Sequence, residues 1–161
     1  MEDISCPICD SVNFSNYISI KDRVFNENSF NLVKCKCDLI YINPRPTLDE
    51  LSKYYSSNYF PHKKSKSYFD KIYSFVQKIT FYWKKSIINK YSSKGTIIDI
   101  GSGKGEFVEY MNQSGWKAYP NDPYYQKSEN TNIKADIITM WHSLEHVHNL
   151  NLLFSNIDKK I

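Results

Sequence analysis

The segment Ile97–Phe107 reads IIDIGSGKGEF, and it gathers three of the chain's five glycines, Gly101, Gly103 and Gly105, directly behind an apolar run. Glycines placed this way let a backbone approach a ligand closely, because no Cβ stands between them. Asp99 sits inside the apolar run, so its carboxylate must meet a partner where the run ends. Asp122 follows the turn by about 20 residues, near the spacing at which an acid accepts hydrogen bonds from ribose hydroxyls. The glycine pattern is G-x-G-x-G. It lacks the Gly-Lys-Ser/Thr ending of a P-loop and the G-x-G-x-x-G of a dinucleotide turn. A nucleoside that carries an ammonium group and no pyrophosphate suits both acids. S-adenosylmethionine (SAM), with an amino acid end and an adenosyl ribose, is such a ligand.

A second constellation is metal-like. All four cysteines fall in the first 37 residues, as Cys6-Pro-Ile-Cys9 and Cys35-Lys-Cys37. Two thiolate hooks separated by a hairpin-length segment fit a structural, tetrahedral Zn2+ site. A module this small buries little core, and a metal supplies the missing stabilisation. The second hook departs from the usual ribbon. It is C-x-C where C-x-x-C is common, and Asp38 follows it where glycine often does.

A third, HSLEH, places His142, Glu145 and His146 in an H-x-x-E-H order that also occurs in zinc hydrolases. That reading needs both histidines on one helix face and a further ligand downstream. A second reading makes His146 a general base with Glu145 orienting it or the acceptor, since histidine titrates in the useful range. His148 reads as facing solvent.

These groups need elements to hold them. Leu39–Pro46 reads as a strand running into an extended linker, because Pro44 and Pro46 block regular structure. Thr47 to Tyr55 reads as a helix with a threonine N-cap. From Tyr68 to Tyr91, apolar residues at 69, 72, 73, 76, 79, 83, 87 and 91 recur at helical steps, which predicts a long amphipathic helix. Residues 96–100 predict a buried strand. Glu106 to Ser114 predicts a helix with Phe107, Tyr110 and Met111 inward and Gly115 at its end. WKAYPND and ADIITMW predict two more strands, and NLNLLFSNID a last helix. Strand, glycine turn, helix, strand and acid make the first half of a doubly wound α/β sheet.

With these motifs in view the sequence resembles a family. IIDIGSGKGEF resembles motif I of the class I SAM-dependent methyltransferases. DIITMWHSLEHVHNL, residues 136–150, resembles the fourth-strand segment of one subset, and the N-terminal CPIC…CKCDLIYINPRP resembles the zinc-ribbon preface of that subset. Members of the subset often methylate sugar or small-metabolite acceptors, some at carbon. The resemblance implies that Gly101, Gly103 and Gly105 line SAM, that Asp99 faces its methionine end and Asp122 its ribose, and that Tyr55 or Tyr59 covers it. It implies His146 and Glu145 as catalytic residues and Cys6, Cys9, Cys35 and Cys37 as zinc ligands.

The expected architecture is therefore a zinc-ribbon-like module over 1–46, a helical linker or lid over 47–94, and a partial Rossmann-like, SAM-binding sheet over 95–161. The sheet is expected to be incomplete, with about three of the family's seven strands. The expectation is thus a shortened methyltransferase of reduced turnover that associates with itself or with a chain completing its sheet. A non-catalytic interaction module on the same fold is the alternative. The net charge of +4 comes almost wholly from lysine, with arginine only at 23 and 45. Between His62 and Lys94 nine lysines face one acid. Without arginine forks this reads as a solvated helix face, against nucleic acid as a partner. No apolar run is long enough to span a membrane, and the N-terminus lacks the pattern of a signal peptide, so the expectation is a cytoplasmic protein with no membrane partner.

Overall fold

The computed structural model describes residues 1–22, 29–50, 68–122 and 133–161, the side chains of 68–71 excepted. They belong to two compact units, Met1–Lys63 with His148–Asn151, and Lys64–Val147 with Leu152–Ile161.

In the first unit, β1 (Phe14–Lys21) and β2 (Ser29–Cys35) pair antiparallel between the two cysteine hooks, and β3 (Ile40–Ile42) pairs on the other side of β2. Alternation along β2 turns Val33 and Cys35 inward, whereas every residue of β1 is exposed. The buried set here is small: Cys6, Val33, Cys35 and Asn43. Asn43 is held by backbone, its Oδ1 accepting from the Ile4 N–H at 2.8 Å and its own N–H donating to the Asn31 carbonyl at 3.0 Å. Thr47 and Glu50 bond reciprocally at the start of a helical turn, with the Thr47 N–H donating to Glu50 Oε2 at 2.9 Å. That is a capping box, as a threonine N-cap with glutamate three residues on dictates. The predicted helix beyond Glu50, and Tyr55 and Tyr59 with it, lie outside the described residues.

His148 corrects the sequence reading. It is not solvent-facing. Its ring Nε2 lies 2.9 Å from Glu2 Oε1, and its carbonyl accepts a 2.6 Å hydrogen bond from Arg45 Nη1. Arg45 Nε in turn donates to Glu2 Oε1 at 2.7 Å, and this holds the Glu2 carboxyl below its ordinary range.

The second unit runs α1 (Tyr68–Ile88), β4 (Thr96–Ile100), α2 (Glu106–Gln113), β5 (Lys117–Asn121), β6 (Ile137–Met140), a 3-10 turn (Leu144–His146) and α3 (Leu150–Asp158). Among its described residues three strands run parallel in the order β5-β4-β6. The chain steps from β4 to β5 on one side and places β6 on the other, so the order reverses at β4. Asp136 fixes the start of this pairing, accepting the Thr96 N–H at 2.7 Å. Helix α2 ends in a Schellman motif: the Trp116 N–H donates to the Met111 carbonyl at 3.1 Å, and the Gly115 N–H to that of Asn112 at 3.0 Å. The motif turns Trp116 back beside Met111, and both join Ile88, Ile97, Phe107, Val108 and Ala118 in the core.

One expected face is reversed. Helix α1 meets this core through Phe81 and Ile88, and Trp83 reaches Trp141 with ring centroids 6.1 Å apart, whereas most of the periodic apolar stripe that predicted the helix points outward. Ile72, Val76, Ile79 and Trp83 are all exposed. The helix forms as its pattern demands, but the pattern does not record which partner the stripe serves.

Candidate functional site

The glycine turn follows β4 at the end of the sheet where strand order reverses, the place at which open α/β sheets bind ligands. Gly101, Gly103 and Gly105 all take left-handed backbone, with φ of 74°, 57° and 78°. At Gly101 the requirement comes from the protein itself. A Cβ there would stand 2.3 Å from Ser143 Cβ, because Ser143 Oγ reaches in to donate to the Ile100 carbonyl at 2.8 Å. At Gly103 a Cβ would meet nothing within 4 Å among the described residues. The Gly103 N–H donates to Asp122 Oδ2 at 2.8 Å, which ties the turn to the end of β5. Gly105 forms the N-cap of α2.

Asp99 is buried on β4, opposite Thr139 on β6, and accepts a 2.6 Å hydrogen bond from the Thr139 hydroxyl. Burial pushes its pKa up to about 6, opposed by the Thr139 bond and the positive charge of Lys84 and reinforced by Asp122. The Lys84 ammonium lies 4.9 Å from the Trp141 ring centroid and 5.1 Å from that of Phe107, a cation–π setting. Burial lowers its pKa, and Asp99 supports its charge. The acid in the apolar strand thus has an ammonium near it, supplied by α1. Beside it, Ser102 Oγ and Trp141 Nε1 are buried with no hydrogen-bond partner among the described residues. Buried polar atoms are seldom left so. Two orphans at the turn are what a polar ligand would satisfy.

His146 and Glu145 lie on the exposed 3-10 turn beyond β6. His142 takes φ 55° just before that turn, its Nδ1 3.9 Å from Glu145 Oε1. His142 and His146 therefore share no α-helical face, which removes the geometry a zinc hydrolase needs.

The four cysteines do converge. Their sulfurs all lie within 4.8 Å of one another, with Cys6–Cys37 at 3.6 Å and Cys9–Cys35 at 3.5 Å. Four thiolates at Zn–S distances of about 2.3 Å have sulfurs about 3.8 Å apart, so the donor set fits a closed tetrahedral zinc site. Each hook closes in a tight turn, with Cys6 N–H to Ser11 O at 2.9 Å and Cys35 N–H to Leu39 O at 2.9 Å. The residue after each hook, Asp10 or Asp38, takes positive φ of 54° or 68°. Aspartate tolerates this conformation better than most residues, and Lys34 pairs with Asp38 at 2.8 Å. The unusual Asp38 thus occupies the backbone state for which a ribbon ordinarily uses glycine. Burial opposes ionisation of Cys6, yet the Cys9 and Ile8 amides and the neighbouring thiols draw it down to about 7.

Sequence reasoning missed Lys84, Ser102, Thr139, Trp141 and Ser143. Thr139 carried a signal: it is a polar residue in an apolar strand, in register with Asp99. Lys84 carried none, because a lysine on an amphipathic helix reads as solvated.

Among the described residues no helix is long and apolar enough to cross a membrane. A family model described as a methyltransferase domain matches residues 68–161, more than half of the chain. No curated protein and no solved structure gives a significant match.

Proposed function

The chain belongs to the methyltransferase domain family, and on that premise we propose that it binds SAM at the glycine turn and methylates a small-molecule acceptor, sugar-linked acceptors included. The observation that carries the reading is the end of β4. A glycine turn stands there with two buried acids and, among the described residues, with room beside Gly103 and no partner for Ser102 Oγ or Trp141 Nε1. When bound, SAM would supply a sulfonium methyl group, whose carbon would bond to the acceptor in line as its bond to sulfur breaks and S-adenosylhomocysteine leaves. The chain's own residues do the rest. Asp99 offers a carboxylate to an ammonium, Asp122 offers one to ribose hydroxyls while holding Gly103, and Ser102 and Trp141 contribute unused donors. Positioning of this kind supplies much of the acceleration in group transfer. His146 takes the acceptor's proton where the acceptor is a hydroxyl or an acidic carbon, and Glu145 orients it. Cys6, Cys9, Cys35 and Cys37 hold a structural zinc, with no coordination position left open for chemistry.

Calorimetric titration of the full chain with SAM tests the reading. Binding is expected, and Asp122→Ala is expected to weaken it roughly 10- to 100-fold through loss of charged hydrogen bonds. His146→Ala should retain binding and lose about 10²–10⁴-fold in methyl transfer. Absence of SAM binding by the wild-type chain would refute the assignment.

A further inference from the structure

Helix α1 carries its largest apolar surface away from the core it packs on. Ile72, Phe75, Val76, Ile79, Tyr82 and Trp83 are each between 50% and 70% exposed. At about 100° per residue they form one continuous arc over roughly a third of the helix circumference. Within it Ile72, Val76, Ile79 and Trp83 repeat at steps of four, three and four, the seam spacing by which one helix packs against another. Soluble proteins rarely leave a continuous apolar patch of this extent open.

We propose that this arc is the interface of a homodimer, in which α1 of one copy packs against α1 of a second across a two-fold axis. Three observations favour a second copy over other occupants. The arc contains no charged residue, so it meets its own copy without like-charge repulsion, and a two-fold contact requires self-complementarity of this kind. Its area suffices: the six side chains together offer roughly 800 Å², the per-partner area of a standard interface. Its flanking lysines are engaged on both sides. Lys78 and Lys85 border one side, with the Lys85 ammonium 5.9 Å from the Tyr110 ring centroid, and Lys84 on the other is folded in against Phe107 and Trp141. A helix that lies on an anionic lipid surface wants basic residues on its polar face beside the apolar one, and here two of the flanking lysines lie over aromatic rings of the core. The interface lies apart from the β6 edge, where pairing would instead extend the sheet.

Sedimentation of the full-length chain tests this at concentrations from about 1 to 100 μM, the span in which dimers of standard interface area separate from weak contacts. The wild type is expected to be a dimer. Ile79 lies near the middle of the stripe, so Ile79→Glu should raise the dissociation constant at least ~100-fold, as loss of a central anchor does, with an unchanged circular dichroism spectrum. Ile79→Lys should do the same. An equimolar mixture of the two variants should associate again, because opposite charges then meet across the axis. That restoration also shows that both variants are folded. A monomeric wild type overturns the proposal, as does a dimer that survives both substitutions, which would put the contact at the β6 edge or elsewhere. Binding of a monomer to phosphatidylserine vesicles would assign the arc to lipid and overturn it equally.

Discussion

In the cysteine unit every residue of β1 is exposed, and the few buried side chains cluster at the two hooks. In the glycine-turn unit Ile97, Ile98 and Asp99 of the central strand are buried in succession, with Ile88, Phe107, Val108, Met111, Trp116 and Ala118 making up the core with them. Among its described residues the first unit buries little apolar surface. If the four sulfurs hold the metal proposed above, its order rests on that ligand. In the second unit the core makes the fold, and the fold then carries groups that burial disfavours: Asp99, and the orphaned atoms of Ser102 and Trp141. The same chain thus couples a site that stabilises its unit to one that taxes it.

Removing one thiolate should produce the largest effect and the sharpest separation. Structural zinc contributes an apparent ~10–16 kcal/mol in small modules. Cys35→Ser, or a strong chelator, is therefore expected to abolish hydrogen-exchange protection in residues 29–42 of the full chain and to leave residues 96–118 protected. Equal loss in both regions would break the distinction between the units.

A smaller effect runs the other way. Met111 is fully buried in the core and lies beside the Schellman turn. Met111→Ala should cost about 2–5 kcal/mol, read by chemical denaturation of the second unit, while the zinc content stays at one per chain. Loss of metal in this variant would show that the cysteine unit depends on the glycine-turn core.

The third effect is of opposite sign. Burial raises Asp99 from an ordinary 3.8 to about 6, so the folded state holds this proton more tightly than the unfolded chain does. Its contribution to stability is therefore full at low pH, falls as pH rises from about 4 to 6, and stays low above that. Asp99→Asn should remove this slope and stabilise the second unit near pH 7 by at most about 3 kcal/mol, at ~1.4 kcal/mol per pKa unit. The difference from wild type should vanish below about pH 4. SAM affinity should fall in the same variant, as expected of a residue that trades stability for function. A variant no more stable than wild type at pH 7 would mean that Lys84 and Thr139 already offset the burial.

Much of this was legible in the sequence, for physical reasons that differ by element. The strands at 96–100 and 137–140 were readable because buried parallel strands are apolar on both faces. The turn was readable because glycines so closely spaced have few other uses. The cysteine cluster followed from ligand spacing alone. The exposure of the α1 stripe was not legible, since periodicity reports that a helix has an apolar face without naming what covers it. Lys84 was hidden for a related reason: its burial depends on Phe107 and Trp141, residues distant in sequence that only the fold brings beneath it. His148 was misread because its partners, Glu2 and Arg45, lie more than a hundred residues away.

The contact between Gly101 and Ser143 has a consequence for how this sequence is free to vary. The two positions lie 42 residues apart, yet a Cβ at one would fall where the Cβ of the other already stands. Substitution at Gly101 alone is closed to the chain, and it opens only after Ser143 has become glycine, at the further cost of a left-handed backbone for the newcomer. The glycine turn and the segment that bears His146 therefore drift as a pair. In a set of diverged homologues, a side chain at the first of these columns should appear only where the second is glycine.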